Sequence, residues 1–397
     1  MSQAMSTAAP IRAGFSRTGL LFAALGLAGL VLPLVQFKPN RIVLGQGHAV
    51  VTALPPMAGW VLTALLALGL AAGLRSGLPQ RLRLAIGLAG TLAAVIALGA
   101  AVRHLTPEGN TIARVAPASG FWLLALAFAL MATDALTRLR LSITARAVIL
   151  AAVILALAAL LASGWLDGIS VMREYAARAD LFWREAVRHL VLAFGSLAAA
   201  LAVGLPLGVA IYQIPRLRRG VLGMLNLLQT IPSLALFGIM IPIFGWIAAT
   251  VPGAAQLGVA GIGAFPALVA LFLYSLLPVV SNTLVGLTGV DPATRDAAFG
   301  IGMTRAQVLF GVLLPLAVPV VLAAVRIVLV QNIGLAVIAG LIGGGGFGSF
   351  VFQGLNQTAM DLVLLGAVPT IALALVAGIV LDLVVEALDR RRRERAM

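Results

Sequence analysis

The sequence predicts an all-α polytopic membrane protein of about ten transmembrane helices, and three observations carry that expectation. Of its 397 residues 61% are hydrophobic and only 10% charged, and the mean hydropathy is +1.10. A single soluble core could not hide that much apolar surface. The apolar residues come in runs of about 20, the length at which an α-helix crosses roughly 30 Å of hydrocarbon. The formal net charge of +14 rests on arginines clustered between those runs, where they orient spans in a bilayer; a nucleic-acid partner is not implied. The chain has no cysteine, which excludes thiol catalysis, disulfides and cysteine metal sites. His48, His104 and His189 lie far apart and predict no metal centre. No cofactor is expected.

The first run, 18–37, follows Arg12 and Arg17. Its length and the lack of a small-residue cleavage site mark a retained span rather than a secretory signal. Runs at 57–74, 84–102, 119–133 and 147–165 complete a five-span N-terminal part, 1–165, poor in polar residues and silent about chemistry. The charged segment 166–187, with Trp183 and Arg184, reads as an extracytoplasmic amphipathic connector. Five further runs follow at 188–212, 221–245, 261–287, 313–335 and 361–383, and 384–397 is a basic tail. Placing the N-terminus inside puts about 18 of the 27 basic residues on the cytoplasmic face, Arg12, Arg83, Arg218, Arg305 and Arg391 to Arg393 among them. Both termini and the loop around Asp296 are then cytoplasmic.

That loop is a polar, helix-forming interruption of apolar sequence. Asp291-Pro292 is a helix start, with an acid at the N-cap and proline at the first helical position. Ala297 and Ala298 keep the helix surface thin enough for another protein to approach, Gly302 breaks the helix, and Thr304-Arg305-Ala306-Gln307 reads as a capping box. Two short helices at an angle result. The spacing is Asp296-Ala297-Ala298, three residues, Gly302, nine residues, Val312, one residue, Leu314-Pro315. It resembles the coupling loop by which ABC-importer permeases engage their ATPase, with Asp where the family usually has Glu; the bland reading is an ordinary inter-helix loop.

The resemblance extends over half the chain. His189-Leu190, Gly204-Leu205-Pro206-Leu207-Gly208, Leu228-Gln229-Thr230-Ile231-Pro232-Ser233, Tyr274-Ser275-Leu276-Leu277-Pro278, Ser281-Asn282-Thr283 and the glycine run 343–348 together resemble permeases of the quaternary-amine, or osmoprotectant, branch, which import glycine betaine, choline, carnitine and related compounds. The chain departs from them at Gly346-Phe347, where the family more often has Leu between its last glycines, and in the five extra N-terminal spans, which point to the longer subgroup. The resemblance implies a type I, methionine-importer-like permease core over 188–383 in the bacterial cytoplasmic (inner) membrane. Its partners would be cytoplasmic ABC ATPase subunits, a periplasmic solute-binding protein, membrane lipid and a second permease copy or paralogue. Asp296, Ala297, Ala298, Gly302, Thr304 and Arg305 would couple it to the ATPase. The chain is not expected to be an enzyme: its only lysine is Lys38, so it has no phosphate-gripping Gly-Lys-Ser/Thr loop. The run 343–348 lacks a preceding strand and reads as a flexible extracellular turn rather than a nucleotide loop.

Polar residues inside spans are candidates for the substrate path, because unsatisfied polar groups are costly in hydrocarbon. Asn226, Gln229 and Ser233 recur at i, i+3 and i+7; Tyr274 with Ser281 and Ser275 with Asn282 flank Pro278 in the same way. These stripes either line a wet cavity or hydrogen-bond between helices. Arg326, near the middle of a span, must avoid lipid and is expected to bind helix carbonyls or a substrate carboxylate. Tyr274 could offer a ring face to a quaternary ammonium. The alternative is an ion-coupled secondary transporter, which needs titratable groups at membrane depth; apart from Arg326 the spans offer almost none, with Asp382 and Glu386 placed at the cytoplasmic exit. An intramembrane enzyme would need a cluster of His, Asp or Glu, and none is visible.

Overall fold

A computed structural model describes residues 16–40, 43–107, 109–110 and 112–396, the side chains of 389 and 391–396 excepted. Arg12 and the side chains of Arg391 to Arg393, used in the orientation count, lie outside the described residues. The chain forms two compact units that divide after Arg173.

The first unit begins with α1 (Arg17–Val31), whose start is capped by the Ser16 side chain accepting from the Gly19 N–H at 3.1 Å. The expected first span reached residue 37, but the helix ends at Val31 and is 15 residues long. Pro33 disfavours a helical Leu32, which is extended, and the chain turns into a strand. That strand, β1 (Val35–Lys38), is the centre of a small antiparallel sheet with β2 (Gln46–His48) on one side and β3 (Arg114–Pro117) on the other. Val35 faces both His48 and Pro117 in the register. Strands of three or four residues are too short to show an alternation, so the sheet was not expected. After the short α2 (Val50–Ala53) come α3 (Pro56–Leu74), α4 (Gln80–Leu105), α5 (Ser119–Leu139) and α6 (Ile143–Ala162).

α1 packs on α3 and α5, and α5 packs on α4, around a core of Leu34, Leu70, Leu124, Phe128 and Met131. The seam between α1 and α3 is closed by glycine: a Cβ on Gly19 would sit 2.3 Å from the Gly73 carbonyl oxygen. Arg83, expected in a loop, is 2% exposed inside α4. It donates to the carbonyls of Gly73 (3.2 Å) and Arg75 (2.8 Å) and lies 3.6 Å from the Asp134 carboxylate. It thereby satisfies carbonyls at the end of α3 that have no partner within their own helix. α6 has no buried residue.

The second unit starts within the segment 166–187. That segment is no single connector helix: α7 (Ser170–Ala177) is followed at once by α8 (Ala179–Gln213). The seventh expected span, 221–245, is likewise two helices, α9 (Pro215–Thr230) and α10 (Ser233–Thr250), parted at Pro232. Next come α11 (Ala264–Thr288), the loop helices α12 (Pro292–Gly300) and α13 (Arg305–Val308), a π-turn at 309–313, and α14 (Leu314–Leu335). A 3-10 turn at Ile338–Ile342, α15 (Gly348–Asn356) and α16 (Met360–Ala396) complete the unit. α11 is the hub, touching α8, α9, α10 and α14, while α16 lies on α14 and α15. Among the described residues nine helices are long and apolar enough to span a bilayer, and α1 is a shorter apolar helix. The all-α membrane fold therefore stands.

Candidate functional site

The loop between α11 and α14 is built almost wholly by local chemistry. The Asp291 carboxylate accepts from the Ala293 N–H at 3.0 Å, and Pro292 opens α12. At the other end Gly302 has φ +86°, and the N–H groups of Gly302 and Met303 return to the carbonyls of Phe299 (3.0 Å) and Ala298 (3.2 Å). This paired closure with glycine in the left-handed region is a Schellman motif. One residue later Thr304 and Gln307 form both bonds of a capping box, at 2.8 and 3.3 Å. Pro315 lacks the N–H that an α-ladder would offer to the Gly311 carbonyl, and the backbone widens into the π-turn just before it.

The two alanines of the loop face opposite ways. Ala297 is exposed, but Ala298 is 6% exposed and packs among Leu287, Val308, Leu309, Leu313 and Ala317, with Val209 and Tyr212 of α8 at the edge. Ala298 therefore seats α12 on the ends of α8, α11 and α14 and offers no surface to another protein. The outward face instead carries Asp296, 71% exposed, with Ala297, Thr304 and Arg305. Phe299 and Ile301, which the sequence reading did not single out, add apolar surface there, Ile301 being 81% exposed. The Tyr212 hydroxyl, and after it Asp296, hold the Arg295 guanidinium above its ordinary pKa.

The intramembrane polar residues separate into two groups. Pro278 has no N–H for the Tyr274 carbonyl one turn earlier, and the Gln229 side chain fills the gap, donating Nε2–H to that oxygen at 2.8 Å. In return the Tyr274 hydroxyl donates to the Ile231 carbonyl, at the break between α9 and α10. Two proline-broken backbones thus satisfy each other. Ser275 is fully buried and joined to Asn332, whose Nδ2 lies 2.9 Å from the hydroxyls of both Ser275 and Ser196; this network ties α8, α11 and α14. Asn282 donates to the Pro278 carbonyl at 2.8 Å and remains half-buried, and Asn226 is exposed. Asn226, Gln229 and Ser233 do not share one helical face, because α9 ends at Thr230 and Ser233 begins α10.

A Gln229→Leu replacement should therefore act on the fold. Leaving the Tyr274 carbonyl without a partner costs about 1–3 kcal/mol, read as lower unfolding stability of the purified permease with solute affinity retained. Full stability with solute transport selectively lost would instead make Gln229 a wall of the path.

Arg326 does not bind helix carbonyls. It pairs with Asp382 of α16, which the sequence reading had placed at the cytoplasmic exit. The glycine run 343–348 is also no loose turn. Gly343, Gly345 and Gly346 have φ of +73°, +80° and +80°, and α8 grips the run from one side. Glu185 accepts from the Gly346 N–H, and the Arg188 Nε–H donates to the Gly344 carbonyl at 3.1 Å. His189 Nδ1 accepts from the Phe347 N–H at 3.3 Å while Nε2 lies 3.0 Å from the Ile333 carbonyl. Those two bonds together require a neutral imidazole protonated on Nε2. Among the described residues no group of His, Asp or Glu is placed to hold a metal ion.

Residues 16–172 match the family described as "ABC transporter permease YehY, N-terminal domain", and residues 200–394 match "Binding-protein-dependent transport system inner membrane component". The chain is 42% identical to the osmoprotectant import permease protein OsmW of Salmonella typhimurium over 189 residues, 48% of this chain and 83% of that protein. It is 36% identical to the carnitine transport permease protein OpuCB of Listeria monocytogenes, over 48% of this chain and 79% of the relative. With the choline transport system permease protein OpuBB of Bacillus subtilis it shares 37% identity over 49% and 82% of the two chains. Among solved structures it is similar to an inward-facing MetNI methionine ABC transporter, at 26% identity and a TM-score of 0.46, over 52% of this chain and 96% of that one.

Proposed function

The chain belongs to the osmoprotectant family of binding-protein-dependent ABC transport permeases, multi-pass components of the inner membrane, and from that premise we propose its task in detail. It is the membrane subunit of an ATP-driven importer for glycine betaine, choline or a related quaternary-amine osmolyte. A periplasmic binding protein feeds it, and it works beside a second permease copy or paralogue. ATPase subunits in the cytoplasm dock on the loop 291–312, and both termini lie on that same side, in keeping with the distribution of arginines. Asp296, Ala297, Thr304 and Arg305, with Phe299 and Ile301, form the docking face, while Ala298 and Gly302 hold it in shape. Asn226, Ser233 and Asn282 remain candidates for the path; Gln229, Tyr274, Ser275 and Arg326 serve the helix packing around it.

The observation that carries this reading is the seating of the loop. Two capped short helices stand on the ends of α8, α11 and α14 through Ala298, so a push on the outer face reaches three spans as a rigid displacement. The test is uptake into proteoliposomes of radiolabelled glycine betaine and choline. Uptake is expected only with the ATPase, ATP and the loaded binding protein together. Uptake driven by an ion gradient without ATP would overturn the reading in favour of a secondary transporter.

A further inference from the structure

α3 and α4 are joined by only the residues 75–79, yet they splay apart. Between them runs a groove of about 410 Å³, walled by Leu62, Leu66 and Ala72 on α3 and by Ile86 and Ala93 on α4, with Phe128 of α5 as its floor. Gly90 lets α4 lie directly against that floor, since a Cβ there would fall 2.4 Å from the Phe128 ring. From Leu62 to Ala72 the groove is about 15 Å long at 1.5 Å per helical residue, half of the roughly 30 Å hydrocarbon core. It reaches from mid-membrane to one interface only. A transmembrane helix, about 10–12 Å across and running the full depth, does not suit a cleft of one leaflet's depth; an acyl chain does.

The interfacial end is basic. Arg75 lies one turn beyond Ala72 and Arg81 in the first turn of α4, and both side chains are exposed. Their neighbour Arg83 is turned inward, taken up by Asp134 and the end of α3. Asp134 is in turn held by Arg138 at 3.0 Å. Asp134 is therefore committed, and among the described residues neither exposed Arg75 nor exposed Arg81 is engaged in an ion pair.

We propose that the N-terminal unit binds one anionic phospholipid, its acyl chain in the groove between α3 and α4 and its phosphate at Arg75 and Arg81. Basic residues at a membrane surface contribute about 1 kcal/mol each toward anionic lipid, so the pair sets selectivity and the groove sets retention. The site is independent of the transported solute.

The test uses the full chain, purified in detergent and titrated with phosphatidylglycerol or phosphatidylcholine under native mass spectrometry. One phosphatidylglycerol is expected to stay bound per chain. Arg75→Ala with Arg81→Ala should weaken it roughly 30-fold, and Ala89→Trp, at an exposed position of the groove wall, should abolish retention of either lipid. Thermal unfolding of each variant checks the fold. Inorganic phosphate should not compete, because it lacks the chain that fills the groove. Equal retention of the two lipids, phosphatidylglycerol binding untouched by Ala89→Trp, or a co-purifying protein displaced by that variant would each overturn the proposal.

Discussion

Replacing Arg326 by leucine is expected to strip most of the folded permease from the membrane, as is replacing Asp382 by leucine, while the double replacement restores it. The two side chains pair between α14 and α16, and both helices are long apolar spans. A lone Arg near a span centre costs about 2.5–3.5 kcal/mol on insertion scales, and a lone Asp382, nearer the end of its span, costs less, so each single variant strands a charge that the double variant removes. The measurement is a double-mutant cycle on membrane abundance and unfolding stability. Losses that simply add would mean that the pair is not the reason either residue is tolerated. A stable Arg326→Leu variant that lost uptake of carboxylate-bearing glycine betaine but kept uptake of choline would assign Arg326 to the substrate.

The second large effect belongs to the loop. Ala298→Trp forces an indole into the seam with Leu287, Leu309 and Leu313, where overpacking costs about 1–3 kcal/mol or more. α12 is lifted from the ends of three spans. Solute transport and the stimulation of ATP hydrolysis by loaded binding protein are expected to fall at least about tenfold, a change of about 1.4 kcal/mol, with the permease still present in the membrane. Ala297→Trp, on the exposed face, keeps the loop's own packing and alters only what meets the ATPase. It should weaken co-purification of the ATPase without lowering the stability of the permease alone. Normal stimulation in both variants would remove this loop from the coupling path.

The loop was legible in the sequence because its structure is written in adjacent residues. An N-cap acid before proline, a glycine at the Schellman position and a Thr-x-x-Gln box each act within six residues, and each bond is present. The inward turn of Ala298 escaped, since it depends on Leu287 and Leu313 outside α12, and so did the apolar outer face of Phe299 and Ile301. The breaks at Leu32 and between α9 and α10 were also written locally, in Pro33 and Pro232, but hydropathy averages over a run and does not see one missing N–H. The pairings that fix the spans were out of reach for a different reason. Gln229 to Tyr274, Asn332 to Ser196 and Arg326 to Asp382 join residues from separate helices, and helical periodicity names the face a residue occupies without naming its neighbour. The grip of Glu185, Arg188 and His189 on the glycine run is of the same kind. The pathway candidates are polar groups that are costly to bury; sequence periodicity does not show that Gln229 is spent on a carbonyl freed by proline, Tyr274 on the break between α9 and α10, Ser275 on Asn332 and Arg326 on Asp382.

The small sheet of the N-terminal unit has a consequence for the timing of synthesis. Its central strand ends at Lys38 and its last strand begins at Arg114, with α3 and α4 between them. At translation rates of about 5–20 residues per second the ribosome needs roughly 4 to 15 s to deliver the missing edge. During that interval β1 can pair only with β2, and one row of its backbone groups stays open while two apolar helices are handed to the bilayer. A contact of such sequence separation also carries a high closure entropy. Sealing of the sheet thus waits for α3 and α4, and a chain stalled or cut before Arg114 keeps one edge of β1 unpaired, the kind of open strand edge that invites pairing with another chain.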